Sequence, residues 1–235
     1  LSTFHFKEFS LSQVANTHKV GTDAMLLGAS INTGIYKTAL DIGAGTGVLA
    51  LMIAQRNPRL QITCIEIDKK SAEECTKNVN NSTWFNRITT IHADFTQYDF
   101  QQKFDLIFTN PPYYFTDNSS NESNERTKHI STDSLLNWLN KVADLLTTKG
   151  EFWVIWPSET SQKIIEMAFD LGLYVAKKIT VYSKRNKLSR YILCFSRDKN
   201  EGLNVEQLII RNEDNSYSND YCTLTADFHF KEFTP

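Results

Sequence analysis

The chain has 235 residues, enough for one α/β domain with a full core and too few for two. Its 41% apolar content, with 15 Phe, 9 Tyr and 4 Trp, supplies ample material for burial and excludes a disordered chain. The formal charge of −2 excludes a uniformly basic nucleic-acid binder, so any nucleic-acid site must be a local basic patch.

The opening residues Leu1-Ser2-Thr3-Phe4-His5-Phe6-Lys7 have neither the basic start nor the apolar stretch of a signal peptide, and no run of about 18 apolar residues follows. A cytoplasmic protein without a membrane span is expected. Residues 1–36 read as an N-terminal segment, in which Gly21-Thr22-Asp23 starts a helix with Thr22 or Asp23 as cap. From about residue 38, short apolar runs alternate with amphipathic stretches, the order of a parallel sheet covered by helices on both faces. Strands are predicted at residues 39–42, 61–66, 88–93 and 104–109, and helices at 48–56 and 69–81, the latter with Ala72, Cys75 and Val79 on one face. A helix over 135–146, a strand over 151–156 and a helix over 159–171 come next.

Residues 174–182 and 190–196 are β-prone runs joined by the polar, basic segment 183–189, which predicts an antiparallel pair. Residues 115–128 lack apolar periodicity and are expected to form a mobile loop. Residues 199–235 read as an extension of the same single domain, whose body is 37–198; it holds a possible strand over 203–210 and a polar stretch over 213–220. The similar strings Phe4-His5-Phe6-Lys7-Glu8-Phe9 and Phe228-His229-Phe230-Lys231-Glu232-Phe233 read as coincidence, since no periodic unit separates them. Four scattered cysteines without CxxC spacing predict reduced, mostly buried thiols and no metal site.

Chemistry concentrates at the predicted strand ends. Leu40-Asp41-Ile42-Gly43-Ala44-Gly45-Thr46-Gly47 is a strand running into a glycine turn, where the missing Cβ atoms let the backbone turn tightly and admit a ligand. Its GxGxG spacing after Asp41 differs from the GxGxxG of dinucleotide sites and suits a methionine moiety. At the next strand end, Ile65-Glu66-Ile67-Asp68 offers Glu66 as acceptor for two ribose hydroxyls beside Ile67, with Asp68 as a helix cap. In His92-Ala93-Asp94-Phe95, Asp94 is placed to accept from an adenine amino group with the Phe95 ring beside it.

Thr109-Asn110-Pro111-Pro112-Tyr113-Tyr114 closes the fourth strand. An adenine amine is a poor nucleophile because its lone pair is delocalised into the ring. The Asn110 side-chain carbonyl and the Pro111 backbone carbonyl can each accept one N–H and hold the nitrogen toward a methyl donor. Pro111 and Pro112 stiffen the loop, and Tyr113 can stack on an unpaired or flipped base.

These residues resemble the amino-methyltransferases of class I, which carry Asn-Pro-Pro-Tyr. The opening segment, with Phe6-Lys7-Glu8-Phe9 and His18-Lys19-Val20-Gly21-Thr22-Asp23-Ala24-Met25-Leu26-Leu27-Gly28-Ala29, narrows the resemblance to the bacterial tRNA1(Val) adenine-37 methyltransferase family. The tail runs Arg190-Tyr191-Ile192-Leu193-Cys194-Phe195-Ser196-Arg197 and Tyr221-Cys222-Thr223-Leu224-Thr225-Ala226-Asp227-Phe228 are similar to that family too. The resemblance implies an α/β Rossmann-like fold with a seven-stranded, mostly parallel sheet and one antiparallel strand. It also implies S-adenosylmethionine as donor and methylation of adenosine N6 in tRNA. Family position puts Thr22 beside the methionine carboxylate and Asp41, Gly43, Ala44, Gly45, Gly47, Glu66, Ile67, Asp94, Phe95 and Asn110 around the donor.

One departure is the loop after the tyrosines, where Arg126, Thr127, Lys128 and His129 replace an expected alanine and paired arginines. Candidate RNA contacts are Arg126 and Lys128 there, with Lys184, Arg185, Lys187 and Arg190 in the late hairpin. A monomer without an obligate protein partner is expected. The competing readings are glutamine-amide methylation of a protein and a catalytically silent RNA-binding scaffold.

Overall fold

The computed structural model describes residues 2–13, 20–111, 132–199 and 202–229. Ser2–His5 (β1) and Ser10–Gln13 (β2) pair as an antiparallel hairpin, followed by helix α1, Thr22–Ser30. Then come Thr38–Ile42 (β3), Val48–Arg56 (α2), Gln61–Glu66 (β4), Lys69–Asn80 (α3) and Ile88–His92 (β5). Phe104–Thr109 (β6), Thr132–Leu145 (α4), Leu146–Pro157 (β7), Ser161–Asp170 (α5), Tyr174–Lys184 (β8) and Lys187–Ser196 (β9) form the second half. Asn204–Ile209 (β10) and Asn219–Thr225 (α6) complete the order.

The main sheet has the order β10-β8-β9-β7-β6-β3-β4-β5, with β9 antiparallel to both neighbours and every other pair parallel. The expected mostly parallel sheet with one antiparallel strand is present. It has eight strands rather than seven, because β10 adds itself in parallel to β8 as an edge. Side chains alternate between faces: Trp153 and Ile155 join α1, α2, α3 and α6 on one side, while Phe152, Val154 and Trp156 join α4 and α5 on the other. Such double coverage explains why the central strands read as continuous apolar runs.

The β1–β2 hairpin and the α6 region both pack on the α1 face. Phe9 packs edge-on to Trp84, and the Asn78 side chain accepts from Ser12 N (2.9 Å) and donates to Ser12 O (3.1 Å) and Thr46 O (3.0 Å), tying hairpin, α3 and glycine loop together. The Lys7 N–H donates to Phe228 O at 3.0 Å, so the two similar terminal strings meet in space at these residues. Helix α1 runs beside α2: Arg56 Nη1, from the last turn of α2, donates to Gly28 O (3.1 Å), Ala29 O (3.0 Å) and Ile31 O (2.7 Å) at the α1 C-terminus. A Cβ on Gly28 would meet Met52 Sδ at 2.7 Å, so glycine lets the two helices approach.

Polar residues 183–189, expected as a loop, instead extend both strands. Lys184 pairs with Lys187, leaving a two-residue turn in which Asn186 takes φ 60°. A hairpin ladder uses backbone groups alone, so lysines can continue it past the apolar residues, and asparagine tolerates the left-handed turn position. Among the described residues, no helix is long and apolar enough to cross a membrane.

Candidate active site

Strands β3, β4, β5 and β6 are adjacent and parallel, so their C-terminal ends lie along one edge, with the chain reversing direction across the sheet between β3 and β6. Open α/β sheets bind ligands at such a crevice. The structure brings together there the strand-end residues singled out from sequence.

Gly43, Gly45 and Gly47 have φ of 68°, 54° and 82°, left-handed values that glycine adopts without strain. Among the described residues, a Cβ on Gly43 or Gly45 would meet no atom within 4 Å, whereas one on Gly47 would come within 2.9 Å of Cys75 Sγ. The first two glycines therefore border open space above the sheet, and the third lets α3 approach the start of α2. The Gly43 and Ala44 amides both donate to Ile65 O, at 2.9 and 3.2 Å, fastening the loop to β4.

Glu66 is buried at the end of β4. Its Oε2 accepts from Gly45 N and its Oε1 from Asp68 N, both at 2.9 Å. A carboxylate offers about four acceptor positions, so holding these two loops leaves capacity for a diol. Ile67 beside it is 60% exposed, an apolar surface next to the acid. Asp68 caps α3 by accepting from Ser71 N and Oγ at 2.9 Å, contacts that hold its carboxyl below the ordinary carboxylate range.

Asp94 closes a tight turn. Its Oδ1 accepts from Thr96 N (2.8 Å) and Thr96 Oγ1 (2.7 Å), and its backbone carbonyl accepts from the amides of Gln97 and Tyr98. The Phe95 ring, expected beside a ligand, is 6% exposed and packs among Phe100 and Trp138 in the core. It supports the Asp94 turn from below, because residues 93–103 carry no helix and an aromatic side chain fills that layer. A groove of about 680 Å³ lies outside this strap, against α4, lined by Gln97, Asn137, Asn140 and Lys141. Of its walls, Thr96, Gln97 and Tyr98 belong to the Asp94 turn and the rest lie on residues 99–100 and α4, so the chemistry locates the site better than the size of the groove does.

Asn110 and Pro111 stand half-buried at the end of β6. Below them the Thr109 hydroxyl donates to Ile42 O at 2.7 Å, joining β6 to β3 where the glycine loop leaves the sheet. Asp41, fully buried beneath that loop, accepts from Ala50 N at 3.2 Å through Oδ2, while Oδ1 has no hydrogen-bond partner among the described residues. Burial pushes its carboxyl up to about 8, against the Ala50 N–H that favours the ionised form, and the nearby Glu66 charge adds to the rise. Next to it the Cys64 thiol is pushed up as well, by its contact with Cys75 and by burial. Cys64, Cys75 and Cys194 are buried and Cys222 is half-buried, as expected of mostly buried thiols.

Thr22 is the first residue of α1, whose N-cap is Gly21 without a side-chain cap, so neither Thr22 nor Asp23 takes the capping role expected of one of them. Asp23 is engaged instead by Arg190. Arg185 and Lys187 are exposed at the β8–β9 turn and Lys184 Nζ donates to Glu213 O at 3.2 Å, all on the same sheet edge as the glycine loop. Pro112, Tyr113, Arg126, Lys128 and the loop 115–128 lie outside the described residues. Sequence reasoning missed Thr109 and Asn78. The only signals were a hydroxyl beside Asn110 and an amide near the Ala72-Cys75-Val79 face.

Residues 9–183 match the methyltransferase small domain family. The chain is 36% identical over 231 residues to the tRNA1(Val) (adenine(37)-N6)-methyltransferase of Flavobacteriaceae bacterium (strain 3519-10), covering 97% of this chain and 99% of the relative. It is 35% identical to the Haemophilus influenzae protein of the same name, over 98% of this chain and 100% of the relative. Among solved structures it resembles a predicted O-methyltransferase of Agrobacterium tumefaciens at TM-score 0.68 and 17% identity, covering 88% and 96% of the two chains, which bears on the fold alone. A glycine loop and acids on adjacent strand ends, a class I sheet and matches of nearly full length agree: the chain belongs to the methyltransferase small domain family and, within it, to the family of the tRNA1(Val) (adenine(37)-N6)-methyltransferases.

Proposed function

We propose that this chain methylates N6 of an adenine in tRNA, with S-adenosylmethionine as donor and adenosine 37 of tRNA1(Val), for which its relatives are named, as target. The observation that carries the reading is Asn110-Pro111 at the end of β6, hydrogen-bonded through Thr109 to the strand that opens into the glycine loop.

The residues present fit the donor. Gly43 and Gly45 leave open the space a methionine chain needs, Glu66 retains acceptor capacity for ribose hydroxyls, and Ile67 offers an apolar face for a purine. The buried Asp41 lies where a cationic ligand would draw it toward ionisation, and the uncapped amides at the start of α1, beside Thr22, suit a carboxylate. When bound, S-adenosylmethionine supplies an electrophilic methyl group. Asn110 and the Pro111 carbonyl would each accept a hydrogen bond from one N–H of the target amine and turn its lone pair toward that methyl, and Tyr113 is the aromatic residue expected to stack on the base. As the nitrogen–carbon bond forms and the methyl–sulfur bond breaks, leaving S-adenosylhomocysteine, the amine would become acidic and its proton would leave past Asn110 to water. Asp94 would accept from the amino group of the donor's adenine.

The test is incubation with labelled donor and unmodified tRNA, followed by digestion to nucleosides. Label in N6-methyladenosine is expected, and Asn110→Ala should reduce turnover by about two to three orders of magnitude with donor affinity nearly unchanged. Label confined to protease-sensitive material would establish the glutamine-amide reading instead.

A further inference from the structure

We propose that Arg190 is a positioning residue for the donor side of the site, not a phosphate ligand: through Asp23 it holds the first turn of α1 over the cleft. The inference rests on the methyl-donor reading above.

Its basis is geometry. Arg190 lies opposite Pro157, where β7 ends, and thus at the sheet edge that carries the glycine loop. Its Nε meets Asp23 Oδ2 at 3.2 Å, with the side chains only 29% and 25% exposed. Its Nη1 donates to Ser189 O at 2.9 Å, a carbonyl that Ser158 Oγ also approaches at 3.5 Å, so the guanidinium is oriented by its own strand and by the segment after β7. Lys184, Arg185 and Lys187, by contrast, cluster at the tip of the same hairpin.

The partner matters as much. An acid in the first turn of a helix ordinarily favours the amides there, but the Asp23 carboxylate is committed to Arg190 and the N-cap is Gly21. The first turn therefore keeps its amides for a ligand, and the ion pair replaces a cap as the device that holds the helix end. Arg56 grips the three carbonyls at the opposite end, so α1 is held by one arginine at each terminus. A shift of α1 along α2 would move Asp23 away from Arg190, and the Arg190–Asp23 contact opposes that shift.

The experiment compares wild type with Arg190→Met, Arg190→Lys, Asp23→Asn and the Arg190→Met/Asp23→Asn double variant. Binding of S-adenosylhomocysteine is measured by calorimetry on the protein alone, together with KM for tRNA, kcat, the salt dependence of tRNA binding and the melting temperature. Arg190→Met and Asp23→Asn should each weaken S-adenosylhomocysteine binding by roughly three- to thirty-fold, with the double variant no worse than either, as for two halves of one contact. Arg190→Lys should recover part of the loss, and the tRNA KM and salt slope should stay as in wild type. The proposal is overturned if Arg190→Met raises the tRNA KM and flattens the salt slope with S-adenosylhomocysteine binding intact, which is the signature of a phosphate contact. A lower melting temperature with both affinities unchanged would overturn it too. A wild-type protein that binds no S-adenosylhomocysteine would instead refute the methyl-donor reading itself.

Discussion

Asp41 sits in β3 with apolar residues on either side and no exposure to solvent, and one of its oxygens has no partner among the described residues. With its carboxyl raised from the ordinary 3.8 to about 8, chiefly by burial, the folded protein holds a proton that the unfolded chain has already released across that window. The sign follows from linkage: the contribution to stability is fully present below the unfolded value and is lost as pH rises toward 8, at no more than about 1.4 kcal/mol per pH unit. Glu66 and Cys64, the groups that face it, add negative charge or stay neutral and do not reverse the trend. Thermal melts of the ligand-free protein should fall between about pH 5 and pH 8, and Asp41→Asn should flatten that slope; a slope unchanged in the variant would mean that another group carries it. The motif identified Asp41 from sequence, but its solitude did not show there, because burial depends on the strands β6 and β4 that close over it. Phe95 illustrates the same limit: an aromatic after a strand-end acid reads equally well as ligand contact or as core.

Elements were legible wherever local pattern decides them. The bounds of α2, β4 and β6 follow directly from the apolar runs 48–56, 61–66 and 104–109, and α1 begins at the expected Gly21-Thr22. What the pattern does not encode is which strand lies beside which. The exposed Val205, Glu206 and Gln207 give β10 no apolar alternation, so its place beside β8 comes from the backbone ladder, the Lys177–Glu206 ion pair at 2.8 Å and the buried Leu208. Arg56 likewise looks like a terminal surface cation, yet it is drawn partly out of water to cap α1, and that desolvation lowers its pKa. Replacing it with methionine removes three charged hydrogen bonds and should cost about 2–3 kcal/mol. Urea unfolding would measure the loss; a change below about 0.5 kcal/mol, the range of an ordinary surface substitution, would mean that solvent satisfies those carbonyls as well as the arginine does.

For the whole molecule, a net charge of −2 hides an uneven distribution. Lys184, Arg185 and Lys187 project at the sheet edge that carries the glycine loop, so an RNA substrate would meet a local cationic surface that the overall balance conceals. Changing all three to alanine should raise the tRNA KM and reduce the log–log salt slope of binding by roughly 2–3, one unit per lost phosphate contact, without altering donor binding. An unchanged slope would move the RNA surface elsewhere.

The parallel arrangement has one more consequence, for anyone wishing to watch the protein at work. Because the loops that carry the proposed chemistry leave the sheet at one edge, the opposite edge, where residues 101–103 lead into β6 and residues 147–149 form the start of β7, is spectroscopically neutral ground. Gln102 and Lys149 are exposed there, so a fluorophore on either would report rotation and assembly of the particle while leaving the catalytic edge untouched.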